Sequence, residues 1–166
     1  MRHPIILAVC MAGVTALAGC GEKDANATVE RAFKDVNVVD ETNLSDVMLT
    51  VADPNEAVSY FARSVKESPD RIDHQRGLAA SLVRAKRSTE AVGAWDKVTK
   101  MKGATPEDSV QLADALIRSG NWARAETVLN SIPPTHETFA RYRLEAMVAD
   151  SKEQWSRADS FYEIAV

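Results

Sequence analysis

Four alanines recur almost evenly along the chain: Ala57, Ala91, Ala125 and Ala158, spaced 34, 34 and 33 residues apart. Four residues after each stands a bulky apolar side chain, Phe61, Trp95, Leu129 and Tyr162. Twelve residues before the last three alanines lie Ala79, Ala113 and Ala146, and three further on come Leu82, Leu116 and Ala149. Trp122 and Trp155 each precede their alanine by three residues. A period of this length marks stacked supersecondary units, none of which can bury its apolar face alone. The competing reading is a non-repeating helical bundle with coincidental alanines. Four in-register alanines with matched bulky partners stand against it.

The local signals within the period are helical. Asp53-Pro54-Asn55-Glu56 supplies an N-cap, a first-turn proline and a capping-box glutamate. Thr105-Pro106-Glu107-Asp108 repeats this grammar with Asp108 as the acidic partner. Gly120 and Pro133-Pro134 interrupt helical patterns. Leu44, Val47, Met48 and Val51 follow helical spacing and predict a short amphipathic helix. Ala32 to Asn43 is ambiguous: Val36, Val38 and Val39 fit a short extended piece that nothing closes into a hairpin. No alternating strand of useful length follows Asn43, so the body reads as all-α.

This pattern resembles the tetratricopeptide repeat, in which two antiparallel helices pack where small residues let their backbones approach. Larger residues fill the gap to the next pair. The resemblance covers nearly everything after Asp53 and implies an all-α superhelix with units over 38–71 (degenerate), 72–105, 106–138 and 139–166. Pro69 occupies the family's helix-ending proline position, whereas Gly103 replaces it one unit later and Ser88 stands where an aromatic is usual. Pro133-Pro134 comes early and accounts for the 33-residue step by shortening a helix. The last unit stops at Val166 without a C-cap glycine or a polar helix over Phe161, Ile164 and Val166. A solenoid needs a polar capping element. The chain therefore reads as a fragment of a longer repeat protein, the alternative being a partner that covers this face.

The N-terminus carries a different kind of signal. Arg2 and His3 precede an uncharged apolar run from Ile5 to Ala18. It is shorter than the roughly 20 residues that span a bilayer and has the length of a signal-peptide core. It ends in Leu17-Ala18-Gly19-Cys20, which resembles the lipobox of bacterial prolipoproteins. Competing readings are an ordinary signal with an accidental cysteine or a buried first helix. The lipoprotein resemblance implies a signal over 1–19, removed before Cys20, whose thiol takes the lipid (palmitate-type acyl chains). Gly21 to about Val29, polar and small, reads as a tether, which with the helical repeat pattern divides the rest into a lipidated tether and irregular segment over 20–43 and a repeat domain over 44–166. Gly21 stands where an inner-membrane retention signal would place Asp, so the expected site is the outer membrane with the body facing the periplasm.

Charge and cysteine usage bound the remaining functions. The whole chain has net charge −4, and loss of residues 1–19 leaves 19 basic against 24 acidic residues, a net −5. That balance argues against a nucleic-acid or anionic-lipid binder, which would carry a basic excess. Cys10 would leave with the signal, so a lipidated Cys20 leaves no disulfide or cysteine metal site. No cofactor is expected beyond the covalent lipid on Cys20.

Catalytic motifs are missing: the sequence holds no GxSxG elbow, P-loop, HExxH or CxxC. His74-Gln75-Arg76 reads as a solvated polar stretch. Glu67, Asp70 and Asp73 read as turn carboxylates rather than calcium ligands, and Trp95, Trp122 and Trp155 as packing residues. The chain is not expected to be an enzyme or to bind a metal. A binding surface remains. The first helix of each tetratricopeptide unit lines the concave face, and the resemblance points inward Arg76, Ala80 and Val83, then Val110, Asp114 and Ile117, then Arg143, Met147 and Asp150. Mixed charges and aliphatics there suit an extended peptide or a partner's helix. For any one of these residues a solvated helix face is the simpler reading.

Among lipobox-bearing repeat proteins, Ala32 to Val98 is similar to the TadD type of the Tad (tight adherence, Flp pilus) apparatus. The likeness is carried by Asp35-Val36-Asn37-Val38-Val39-Asp40, Asp53-Pro54-Asn55-Glu56-Ala57, Pro69-Asp70-Arg71-Ile72-Asp73, Gln75-Arg76-Gly77-Leu78-Ala79 and Ser81-Leu82-Val83-Arg84-Ala85-Lys86-Arg87. It is an overall likeness without a diagnostic motif. It implies an accessory lipoprotein that helps a pilus secretin assemble, with the secretin or another Tad subunit as protein partner. Two other classes fit the same features: a periplasmic scaffold in outer-membrane β-barrel assembly, and the repeat module of a longer envelope enzyme.

Overall fold

A computed structural model describes residues 43–165, all within the compact unit Glu41–Val166. The expected signal, Cys20, the tether and the ambiguous stretch up to residue 42 lie outside the described residues. Among the described residues there are eight helices and no strand. They are α1 (43–50), α2 (Pro54–Glu67), α3 (Ile72–Arg84), α4 (Ser88–Val98), α5 (Pro106–Arg118), α6 (Trp122–Ser131), α7 (Phe139–Asp150) and α8 (Trp155–Ile164). The chain packs as antiparallel pairs: α3 on α4, α5 on α6, α7 on α8. Pairs are joined by α2 against α3 and α4 against α5, with α6 meeting α7 more sparingly and α5 also touching α7.

The recurring alanines sit where the helices approach. Ala57, Ala79, Ala91, Ala113, Ala125 and Ala146 show no exposed surface, and Ala158 shows 1%. Their bulky partners Phe61, Trp95 and Leu129 are buried, whereas Tyr162 on α8 is 39% exposed. Val58, Leu82, Val98, Val110, Leu112, Leu116, Ile132, Leu144 and Val148 join Ala79, Ala91, Ala113 and Ala125 in one apolar core. Gly77 lets α2 and α3 come together, since a Cβ there would lie 2.3 Å from Cε1 of Phe61.

Two helix starts follow the grammar of the sequence, although at α2 only the Asp53 half of the expected capping box forms. Asp53 accepts hydrogen bonds from the backbone N–H groups of Asn55 and Glu56, which caps α2. Asp108 accepts from the Thr105 backbone N–H at 2.7 Å, so α5 is capped by its third residue. The turns inside the pairs share a left-handed residue at equivalent repeat positions: Lys86 (φ 59°), Gly120 (φ 77°) and Glu153 (φ 58°). Only the middle unit places glycine there, where the missing Cβ removes the steric cost.

Three expectations are corrected. His74 and Gln75 are not solvated: they are 4% and 2% exposed, and the His74 ring Nδ1 lies 3.2 Å from the Ser64 carbonyl oxygen of α2. They occupy the face of α3 turned into the fold, which polarity alone concealed. Trp155 is not a packing residue, at 61% exposure, although Trp122 at the same repeat position does pack against the core. The α1 helix forms, but its Leu44 and Val47 are 43% and 49% exposed, and Val51, 79% exposed, falls just past its end in the turn.

Candidate functional site

The nine residues expected on the concave face separate into three groups. Val110 and Ile117 are buried, at 1% and 6% exposure, inside the apolar core. The expectation that they line an accessible groove is corrected: α5 is apolar around much of its circumference and turns both side chains into the stack. Ala80, Val83 and Met147 are half-buried and pack against the rim of that core. The four charged residues, Arg76, Asp114, Arg143 and Asp150, are partly accessible, and each has a defined partner.

Arg76 is held by the fold itself. Its guanidinium makes a bidentate pair with Asp108, Nε to Oδ1 and Nη2 to Oδ2 both at 2.7 Å, and Nη2 also donates to the Gly103 carbonyl at 3.1 Å. The Asp108 side chain is 5% exposed. Burial alone would raise its pKa, but the hydrogen bonds from Arg76 and Thr105 outweigh that and hold the carboxyl below its usual range. Arg76 thus ties α3 to the start of α5. Arg84 acts in the same way at the preceding junction. It donates to the carbonyls of Met48 and Ala52 at 2.9 and 3.0 Å, where α1 ends. Cations complement the unsatisfied carbonyls at a helix C-terminus.

Asp114 and Arg143 bring α5 and α7 together. Asp114 pairs with Arg118 one turn along α5, and its other oxygen lies 3.6 Å from Nη2 of Arg143. The Asp114 side chain is 14% exposed, that of Arg118 50% and that of Arg143 40%. Arg143 Nη1 also lies 3.8 Å from the Met147 sulfur. Asp150 accepts a hydrogen bond from the Tyr162 hydroxyl at 2.9 Å, and burial together with that bond raises the tyrosine pKa. Arg118 is a member of this group that the sequence reading missed. Its signal was legible as an i,i+4 partner of Asp114.

Chemistry of other kinds has little to work with. Among the described residues no three His, Cys, Asp or Glu side chains cluster closely enough to hold a metal, and no helix is long and apolar enough to cross a membrane. Two open hollows, of about 740 and 440 Å³, lie at Glu153–Arg157 with Ser160 and at Met48, Asn55, Glu56, Ser59, Tyr60 and Arg63. Neither is lined by a residue expected on the concave face.

No family model matches the chain, and no curated protein matches it. Solved structures do. MamA 41-end from Desulfovibrio magneticus RS-1 is 21% identical with a TM-score of 0.66, over 75% of this chain and 71% of that one. The MamA RS-1 ArsTM double mutant gives 20% and 0.65 over the same shares. MamA MSR-1 C2 gives 18% and 0.57 over 68% of this chain, which spans 65% of that one. MamA is a tetratricopeptide-repeat protein, and this chain has the same all-α repeat fold. At these identities the likeness establishes fold alone.

Proposed function

We propose that the protein is a lipid-anchored, periplasm-facing adaptor of the outer membrane that binds protein partners along the first helices of its repeats. The observation that carries the binding reading is the Asp114–Arg118–Arg143 group, where charged side chains of adjacent first helices share one partly accessible surface. The Leu17-Ala18-Gly19-Cys20 sequence supports lipidation at Cys20. The likeness of Ala32 to Val98 to TadD-type lipoproteins supports service in a Tad/Flp pilus apparatus, with pilotin-like help to the secretin.

Crosslinking and pull-down of the full-length protein from native envelopes tests this reading, with Cys20→Ala as control. Recovery of a secretin with other pilus subunits, and loss of outer-membrane fractionation in Cys20→Ala, are the expected results. Recovery of β-barrel assembly components instead would overturn the pilus assignment while keeping the adaptor. Unchanged fractionation of Cys20→Ala would overturn the anchor.

A further inference from the structure

The first helices α3, α5 and α7 carry five arginines, and the structure divides them. Arg76 is committed to Asp108 and Gly103, and Arg84 to the end of α1. Arg141 is nearly buried against Glu145, with the pair's side chains 12% and 11% exposed, and also donates to the carbonyls of Pro133 and His136. These three hold helices and loops in place. Arg118 and Arg143 do something different: they flank a single carboxylate, Asp114.

The geometry of that trio is asymmetric. The acid is the inner group, and the two guanidiniums are the charges that solvent meets. Arg143 reaches Asp114 only at 3.6 Å, beyond hydrogen-bond length, and its other terminal nitrogen faces a thioether sulfur, a weak acceptor. A guanidinium has five donors in a fixed fork suited to a carboxylate. The trio therefore presents a net positive focus with donors to offer, on a chain whose net charge is −4. The nearby Asp150 accepts from the Tyr162 hydroxyl, which fixes its position without cancelling its charge. Beside Arg143, Met147 supplies a half-buried, adaptable apolar surface.

We propose that Arg118 and Arg143 together bind an aspartate or glutamate side chain of an extended partner peptide, with an apolar neighbour of that residue resting on Met147. Asp114 pre-orients both arginines and competes with the incoming acid. This deepens the protein-binding reading and rests on it. The competition makes a directional statement: removing the resident acid strengthens binding, whereas removing either arginine weakens it.

The test is selection of a random twelve-residue peptide display library on immobilised full-length protein, followed by affinity measurement of the enriched peptides. Acidic peptides should be enriched. Arg143→Gln and Arg118→Gln should each weaken them several-fold, and the double variant at least tenfold, while Arg63→Gln on α2 leaves them unchanged. Asp114→Asn should tighten them several-fold. Circular dichroism of each variant separates lost binding from lost fold. Enrichment of basic or neutral peptides, or equal binding of acidic ones by the double variant, overturns this inference and leaves the adaptor reading standing. Weaker binding by Asp114→Asn overturns the competition. A library that yields no binder at all overturns both readings.

Discussion

The junction between the second and third repeat units and the one between the third and fourth use the same repeat in different ways. At the first, α4 lies closely along α5, and Arg76 of α3 reaches across to the buried Asp108 at the start of α5. At the second, α6 meets α7 sparingly, α7 touches α5 instead, and polar groups of the connecting segment do the joining. His136 Nε2 lies 3.3 Å from Glu107, Gln111 donates to the same Glu107, and Arg141 braces the loop carbonyls of Pro133 and His136. Pro133 follows the last residues of α6 and cannot continue that helix. A solenoid is held together by its nearest-neighbour interfaces. In this one they are uneven, tighter at the inner junction than at the outer.

The strongest way to break that contrast is Arg76→Ala, which leaves the Asp108 carboxylate buried without its cation. The expected cost is about 2–3 kcal/mol, because removing one partner of a buried pair exposes the full desolvation penalty of the other. Urea unfolding at neutral pH checks it. The same experiment has a pH signature. The folded pKa of Asp108 is depressed, so its contribution is present above the unfolded value of about 3.9 and is lost as pH falls through the folded value. The stability gap between wild type and Arg76→Ala should accordingly narrow on acidification below about pH 4.

A smaller loss is expected at Gly77, where an added Cβ would meet the Phe61 ring 1% exposed beneath it. Gly77→Ala should cost about 2 kcal/mol by overpacking α2 against α3, read as a lower urea midpoint. Gly120→Ala tests a turn rather than a junction. Nothing lies within 4 Å of its Cβ position, so about 1 kcal/mol of left-handed backbone strain is the whole expected effect. Thermal unfolding measures it. The outer junction should give the smallest change: Glu107→Gln is expected to alter stability by less than about 0.5 kcal/mol, because the His136–Glu107 pair is part-exposed and easily rewetted.

What could be read from the sequence was whatever repeats or acts locally. The alanine columns, the caps at Asp53 and Thr105–Asp108, and the breaks at Gly120 and Pro133 depend on neighbours a few residues away or on the period itself. Partners fixed by stacking were hidden. Arg76 finds Asp108 32 residues further on, and nothing equivalent recurs one unit later because Val110 occupies the repeat position of Arg76. The same holds for His74 and Gln75, polar residues turned inward against α2 and the core. Of the residues expected on the concave face, Asp114 and Arg143 come within 3.6 Å of each other across α5 and α7. The sequence could not tell them from Val110 and Ile117, because the position of a side chain on the inner helix does not say how closely the next unit covers it.

Native-state hydrogen exchange of the full-length protein, followed residue by residue in low denaturant, tests the unevenness of the stack most directly. The account predicts that amides of α7 and α8 exchange together through a sub-global opening, at lower free energy than those of α3 to α6. Exchange of all six helices at one common free energy, or earlier opening of α3 and α4, would contradict it.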